Sequence, residues 1–222
     1  MTSIWVIIPV KPLRLAKSRL AKVLTPEERE IFSETMLRHI LEVVQSVPQI
    51  TGTLVISRDN HALTLAREYG AKTVQESGTP ELNDALLRAT SIIASWRSEA
   101  LLVLPADLPL ISAKDIVNIV NLGKEHSSVV ISPDRDKNGT NALFLRPPGL
   151  IKYAYGPGSY HRHGVLARDA NAKVYVYESD GLLQDIDLPE DLENYQRMVQ
   201  RGTYKDTLTG ILEEIKIMRD MG

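Results

Sequence analysis

The run Ser3–Val10 (SIWVIIPV) constrains the fold more than any other part of the chain. It is short, apolar and β-branched, and Pro12 ends it, so it reads as a buried strand. A strand with no polar face needs cover on both sides, which is the situation of a parallel sheet flanked by helices. The sequence that follows supplies those helices. In Thr25-Pro26-Glu27-Glu28, Thr25 can cap, Pro26 suits the first helical position and Glu28 completes a capping box, predicting a helix to about Ser46. Leu54–Ser57 reads as a second strand. Asn60 can cap a helix to Tyr69 that Gly70 terminates, and Ala71–Gln75 reads as a third strand. Glu81–Arg97 is predicted helical and Ala100–Leu104 a fourth strand. Ser112 can cap a helix to about Lys124 that leads to a fifth strand, Ser128–Ser132.

Repeated strand–helix alternation with apolar strands predicts an α/β sheet covered on both faces. The pattern then changes. Asn141–Arg146 and Lys173–Tyr177 read as strands around a helix at Ser159–Asp169, and Leu188–Arg201 reads as a helix with Pro189 at its first position. A last amphipathic helix is predicted at Asp206–Met221, with Leu208, Ile211, Leu212, Ile215 and Met218 on one face. No repeat or linker divides the 222 residues. The expectation is one α/β domain over residues 1–222, with a mixed, mainly parallel sheet and an extra C-terminal helix.

Charge and composition narrow the function. The formal net charge of −2 argues against a broadly basic nucleic-acid binder, and 5% aromatics against stacking platforms for single strands. Cysteine is absent, which excludes disulfides, thiolate metal sites and a cysteine nucleophile. Nothing approaches the roughly 20 apolar residues of a membrane span, and the Ile4–Val10 run is short for a signal peptide. The expectation is a soluble, cytoplasmic protein. The near-neutral total hides an asymmetry. No Asp or Glu precedes Glu27, while Lys11, Arg14, Lys17, Arg19 and Lys22 all do, directly after the first strand.

In open α/β sheets, ligands bind beyond the carboxyl ends of the strands. That rule selects five segments. Lys11, Arg14 and Lys17 leave the first strand at a spacing of three, suited to a loop around a polyphosphate, though also to a solvated basic face. Asp107, in Leu104-Pro105-Ala106-Asp107-Leu108-Pro109, follows the fourth strand, where a carboxylate can hold Mg²⁺ or simply form a turn. In Asp185-Ile186-Asp187-Leu188-Pro189, the two carboxylates share one face if the segment is extended. They can complete a site with Asp107, while Asp187 also reads as the cap of the next helix. Asn138-Gly139-Thr140-Asn141 and Tyr155-Gly156-Pro157-Gly158-Ser159 are Gly-rich turns, and Ser159 as a helix cap would present free N–H groups to an anion. His161 and His163 read as solvent-exposed. Glu76–Ala85, with Gly78 and Asn83, can read a base edge or a ribose, or serve only to cap a helix.

In this order the segments resemble the 2-phospho-L-lactate guanylyltransferase family, which serves biosynthesis of the deazaflavin coenzyme F-420. The matching stretches are IIPVKPLRLAKSRL, LNDALLRA, LPADLPL, SPDRDKNGTNALFL, YGPGSYHRH and DIDLPEDL, from Ile7 to about Leu192. The resemblance implies a nucleotidyltransferase fold. It implies attack by a phosphate oxygen of 2-phospho-L-lactate, or of phosphoenolpyruvate in bacterial relatives, on the α-phosphorus of GTP, with release of pyrophosphate. By the same analogy Asp107, Asp185 and Asp187 hold Mg²⁺, and Lys11, Arg14 and Lys17 neutralise the triphosphate. Thr140, Gly156 and Ser159 hold the acid, and Gly78 and Asn83 lie near the nucleoside. The chain departs from many nucleotidyltransferases in having Lys11-Pro12-Leu13 where they carry a Gly-rich turn. An Asp-x-Asp glycosyltransferase and a nucleotide-binding module without turnover are the competing readings. The amphipathic tail suggests a homodimer.

Overall fold

The structure, a computed structural model, describes residues 3–78, 81–201, 208 and 210. Seven strands form one sheet: β1 (Ile4–Val10), β2 (Gly52–Ser57), β3 (Lys72–Gln75), β4 (Ala100–Val103), β5 (Ser128–Pro133), β6 (Thr140–Arg146) and β7 (Lys173–Val176). Their order is β3-β2-β1-β4-β6-β5-β7, and β6 alone runs against its neighbours. The helices are α1 (Pro26–Gln45), α2 (Asn60–Glu68), α3 (Leu82–Ser95), α4 (Ala113–Leu122), α5 (Ser159–Asp169), α6 (Asp180–Leu183) and α7 (Pro189–Gln200).

The double-sided burial expected of the first strand is present. Ile4, Val6 and Ile8 pack with Leu37, Ile40 and Leu41 of α1 and with residues of α2 and α4. Ile7 points the other way, into a second cluster with Ala85, Leu86, Ala89 and Ile93 of α3 and Ala167 of α5. Side chains alternate across a strand, so one apolar run feeds both layers. A smaller third cluster joins Phe32 and Met36 of α1 to Leu20, Leu24, Leu110, Ile186, Tyr195 and Leu208.

The reversal of β6 positions the site. Leu143 pairs with Val103 of β4 and with Ile131 of β5, and Thr140 pairs with Pro133. The amino end of β6 therefore lies at the sheet edge where the other strands end. Asn141, buried beside it, donates from Nδ2 to the Leu182 carbonyl at 2.7 Å and so holds the chain that leads into Asp185.

Several local expectations hold and others shift. The Thr25–Glu28 capping box starts α1, and Ser112 caps α4. Asp59, not Asn60, caps α2: one of its carboxylate oxygens accepts from His61 N–H and the other from Leu13 N–H. Gly158, left-handed at φ 75°, stands at the cap position of α5, so Ser159 is the first helical residue. Asp187 does not cap α7; the Asp191 carboxylate accepts from the N–H groups of both Asp187 and Leu188. The cationic loop folds into two 3₁₀ turns, Leu13–Leu15 and Ser18–Lys22, too short to leave a periodic signature. The helix expected at residues 206–221 lies outside the described residues, apart from Leu208 and Gly210.

Candidate active site

A cleft of about 370 Å³ opens at the carboxyl edge of the sheet. Lys11, Lys17, Arg58, Glu76, Glu81, Asp107 and Asp187 supply its charged lining, while Val10, Pro12, Leu13 and Pro105 line it with apolar surface. Its walls come from the loops after β1, β2, β3 and β4 and from the start of α3.

Asp107, Asp185 and Asp187 converge beside it. Each offers a carboxylate oxygen, these atoms lie within 4.8 Å of one another, and all three residues are half-buried. Ile186 between the last two is fully buried in the third cluster, so the alternation of an extended segment turns both neighbouring carboxylates the same way. Lys17 reaches into the group. Its Nζ lies 2.7 Å from Asp107 Oδ2 and 2.9 Å from Asp187 Oδ1, and its side chain is 5% exposed. Burial works against the charge on Lys17, but Asp107 and Asp187 outweigh it and hold its pKa above the ordinary lysine value. Burial likewise opposes ionisation of Asp187, yet Lys17 brings its pKa below the usual value. Asp185 has the opposite fate: burial, then the charges of Asp107 and Asp187, push it up to about 6. Three crowded carboxylates, one of them destabilised as an anion, form a donor set suited to a hard divalent cation.

Further along the edge, the Asn138–Thr140 and Tyr155–Ser159 turns meet. Asn138 Oδ1 accepts from Gly158 N–H at 3.0 Å, and the Asn138 carbonyl accepts from Tyr160 N–H. Gly156 has φ 115°, a conformation that a side chain strongly disfavours. Ser159 Oγ donates to Thr140 Oγ1 at 3.2 Å, and both residues are buried. His163 is buried as well, contrary to the exposure expected of it, with its ring against Thr140 Oγ1 and Ala154 N–H.

Other predicted residues sit differently. Lys11 lines the cleft, but Arg14 does not; it is largely exposed and donates to Glu30 Oε2 at 2.7 Å. Asn83 braces two elements: its Oδ1 accepts from Tyr155 N–H at 2.8 Å and its Nδ2 donates to Glu81. The Gly78 carbonyl accepts from the Arg58 guanidinium. Arg58 was missed by sequence reasoning, although it follows β2 directly and the rule that selected Asp107 also points to it, whereas Glu76 opens the segment expected to face the nucleoside. Arg58 Nε lies 3.5 Å from Glu76 Oε1 across the cleft wall.

A mixed, mainly parallel sheet whose carboxyl edge carries a cationic loop and a carboxylate cluster can hold the phosphates of a nucleotide, and together with the guanylyltransferase family that the chain matches it makes this protein a nucleotidyltransferase. The fold agrees with a putative nucleotide-diphospho-sugar transferase from Desulfovibrio desulfuricans G20 (TM-score 0.80, 14% identity, covering 98% of this chain and 96% of that one). A CMP:2-keto-3-deoxy-manno-octonic acid synthetase also aligns (TM-score 0.59, 12% identity, 91% and 100% covered). The chain belongs to the family described as "Guanylyl transferase CofC like", whose model matches residues 4–211. It is 40% identical to the phosphoenolpyruvate guanylyltransferase of Rubrobacter xylanophilus over 190 residues, 86% of this chain and 92% of that protein. It is 38% identical to the 2-phospho-L-lactate guanylyltransferase of Methanocaldococcus vulcanius over 188 residues, 84% of this chain and 81% of that protein. Among the described residues, no helix is long and apolar enough to cross a membrane.

Proposed function

We propose that the chain transfers GMP from GTP to the phosphate of a small phosphorylated carboxylic acid, releasing pyrophosphate, as a step toward coenzyme F-420. The convergence of Asp107, Asp185 and Asp187 beside Lys11 and Lys17 carries this reading, within a family of guanylyltransferases. The acceptor is 2-phospho-L-lactate or phosphoenolpyruvate, which differ by two hydrogens and are the acids named for the relatives.

The acceptor phosphate is already anionic, so the protein needs no covalent nucleophile. Its work is to align the acceptor with the α-phosphorus and to neutralise charge. Lys11 and Lys17 are the cations best situated for the triphosphate, while Arg14 would have to leave Glu30 to join them. Asp107, Asp185 and Asp187 would hold Mg²⁺, which when bound screens the phosphates and stabilises the leaving pyrophosphate. Thr140, Gly156 and Ser159 would hold the carboxylate or phosphate of the acid. Asn83 supports the nucleoside side indirectly, by joining the start of α3 to the Tyr155 backbone. The residues leave less room for a glycosyltransferase, because a nucleotide sugar lacks the full triphosphate charge that Lys11 and Lys17 suit. The same reading includes a cytoplasmic protein and a homodimer, the latter testable by light scattering.

The test is incubation with GTP, Mg²⁺ and each acid in parallel, with product identified by mass. A guanosine diphosphate-linked acid is expected with one or both. Pyrophosphate release independent of any acid, or no release at all, would overturn the reading.

A further inference from the structure

His163 carries an inference about hydroxyl orientation that the placement of Thr140 and Ser159 alone does not. The imidazole stands between two fixed partners. Nε2 lies 3.0 Å from the backbone nitrogen of Ala154, and Nδ1 lies 3.0 Å from Thr140 Oγ1. A backbone N–H can only donate, so Nε2 must be the ring's lone-pair nitrogen. In a neutral imidazole the hydrogen then sits on Nδ1, and it is donated to Thr140. Burial, with a smaller effect from Arg162, lowers the pKa to about 4 and so keeps the ring neutral. The Tyr155 ring packs edge-on against it at 4.9 Å.

Thr140 and Ser159 have one hydroxyl hydrogen each, and their oxygens are 3.2 Å apart. One hydrogen is used in the bond between them, whichever way it points. The Nδ1–H already satisfies a lone pair of Thr140, so the second hydroxyl hydrogen remains. Among the described hydrogen bonds, no protein acceptor takes it. With the other tautomer, Thr140 would donate to the ring and Ser159 to Thr140. No hydrogen would remain, and two N–H groups would face each other at Ala154. The Ala154 amide thus determines, through His163, that the hydroxyl pair presents a donor. A donor suits an anion.

We propose that His163 is a positioning residue that fixes the Thr140–Ser159 pair as a hydrogen-bond donor to the anionic group of the acid acceptor. This rests on the reading that Thr140 and Ser159 face that acid.

Two measurements on the full-length protein test it. The first needs no turnover: ¹⁵N NMR of histidine-labelled protein near neutral pH, with His163→Asn used to assign the signals. The expected result is a protonated Nδ1 and a lone-pair Nε2 for His163; the opposite tautomer, or a doubly protonated ring, overturns the inference. The second is steady-state kinetics of His163→Leu and His163→Asn, with Thr140→Val as reference. His163→Leu should raise KM for the acid by about tenfold while leaving KM for GTP near wild type, as expected for a lost hydrogen bond to a charged ligand. His163→Asn, whose amide can donate from nearly the Nδ1 position, should recover most of that loss. Equal acid KM in His163→Leu and wild type, or equal defects in the Leu and Asn variants, overturns the positioning role. Thr140→Val distinguishes the two levels. If it raises acid KM while His163→Leu does not, only the inference about His163 fails. If Thr140→Val leaves acid KM unchanged, the assignment of the acid to this pair fails, and the inference with it.

Discussion

The ammonium of Lys17 lies 2.7 Å from a carboxylate oxygen of Asp107, 90 residues away in sequence, and is almost wholly removed from solvent. It also bonds Asp187. A protein cation thus lies among carboxylates able to hold a metal, and partly offsets their mutual repulsion. Lys17→Met keeps much of the apolar stem and removes that charge. Without divalent ions the variant should lose about 1–3 kcal/mol, below the full cost of breaking a buried pair because Asp107 and Asp187 are partly exposed. Magnesium chloride should recover more stability in the variant than in wild type. Urea denaturation with and without the salt checks this, and equal metal-free stability would sink it.

Asp107→Asn separates chemistry from folding. The amide keeps the shape at the carboxyl end of β4, and Lys17 retains Asp187 as a partner. Guanylyl transfer should fall by at least about 100-fold, as an electrostatic contribution of a few kcal/mol to the transition state would require. The melting temperature should drop by only about 2–8 °C, the shift expected for a 1–2 kcal/mol loss in a chain of this size. A near-normal rate with Mg²⁺ would remove Asp107 from the metal-binding set.

Lys11 lines the cleft directly after β1, and its charge reaches Asp187. Lys11→Ala should reduce kcat/KM for GTP by roughly 10–100-fold, the cost of a lost charge-assisted hydrogen bond to phosphate. Arg14→Ala should cost less, since Arg14 is turned toward Glu30. Comparing the two in one initial-rate assay tests the ordering; a larger defect for Arg14 would mean that it leaves Glu30 when GTP binds.

These residues also indicate which features were legible in the sequence. The Ile4–Val10 strand announced its double burial because nothing along it is polar enough to meet water. The Asp185–Asp187 pairing was legible because alternation needs only an extended backbone, and buried Ile186 enforces it. The Arg14–Glu30 pair was not legible, because the partner of an exposed, flexible side chain is chosen by tertiary neighbours, and only the packing of the cationic loop against α1 brings Glu30 to it. His163 was not legible either. Its burial depends on α5 packing over the sheet and on Ala154 offering an N–H, neither of which leaves a local pattern. Ser159 was expected at a cap because serine caps well, but the left-handed turn at that point required glycine, and Gly158 takes it.

Acid should act on the fold through His163. Its folded pKa, about 4, lies below the ordinary value of 6.5, chiefly because it is buried and secondarily because Arg162 is near. The folded state therefore favours the neutral ring. That contribution is fully present above pH 6.5 and is lost as pH falls toward 4, by roughly 3 kcal/mol if the whole shift is expressed. Denaturant midpoints of wild type should fall over this range more steeply than those of His163→Asn, because the asparagine does not titrate while Asp185, raised to about 6, titrates in both proteins. Parallel curves would show that another group carries the acid sensitivity.

Ile186 tests whether the carboxylate cluster is held by packing. Its side chain is fully buried with Leu20, Phe32, Met36, Leu110 and Tyr195, and it stands between Asp185 and Asp187. Ile186→Ala should cost about 2–5 kcal/mol through lost burial and the cavity left behind. Ile186→Leu keeps the volume and should cost less than about 1.5 kcal/mol. If the cluster depends on this anchor, the alanine variant should also bind Mg²⁺ more weakly under conditions where it is fully folded, because its flanking carboxylates lose their fixed separation, whereas the leucine variant should bind near normally. Calorimetric titration at low temperature reads this directly. Wild-type Mg²⁺ affinity in a destabilised but folded Ile186→Ala variant would mean that Lys17, or the metal itself, organises the cluster, and that the third apolar cluster contributes to stability alone.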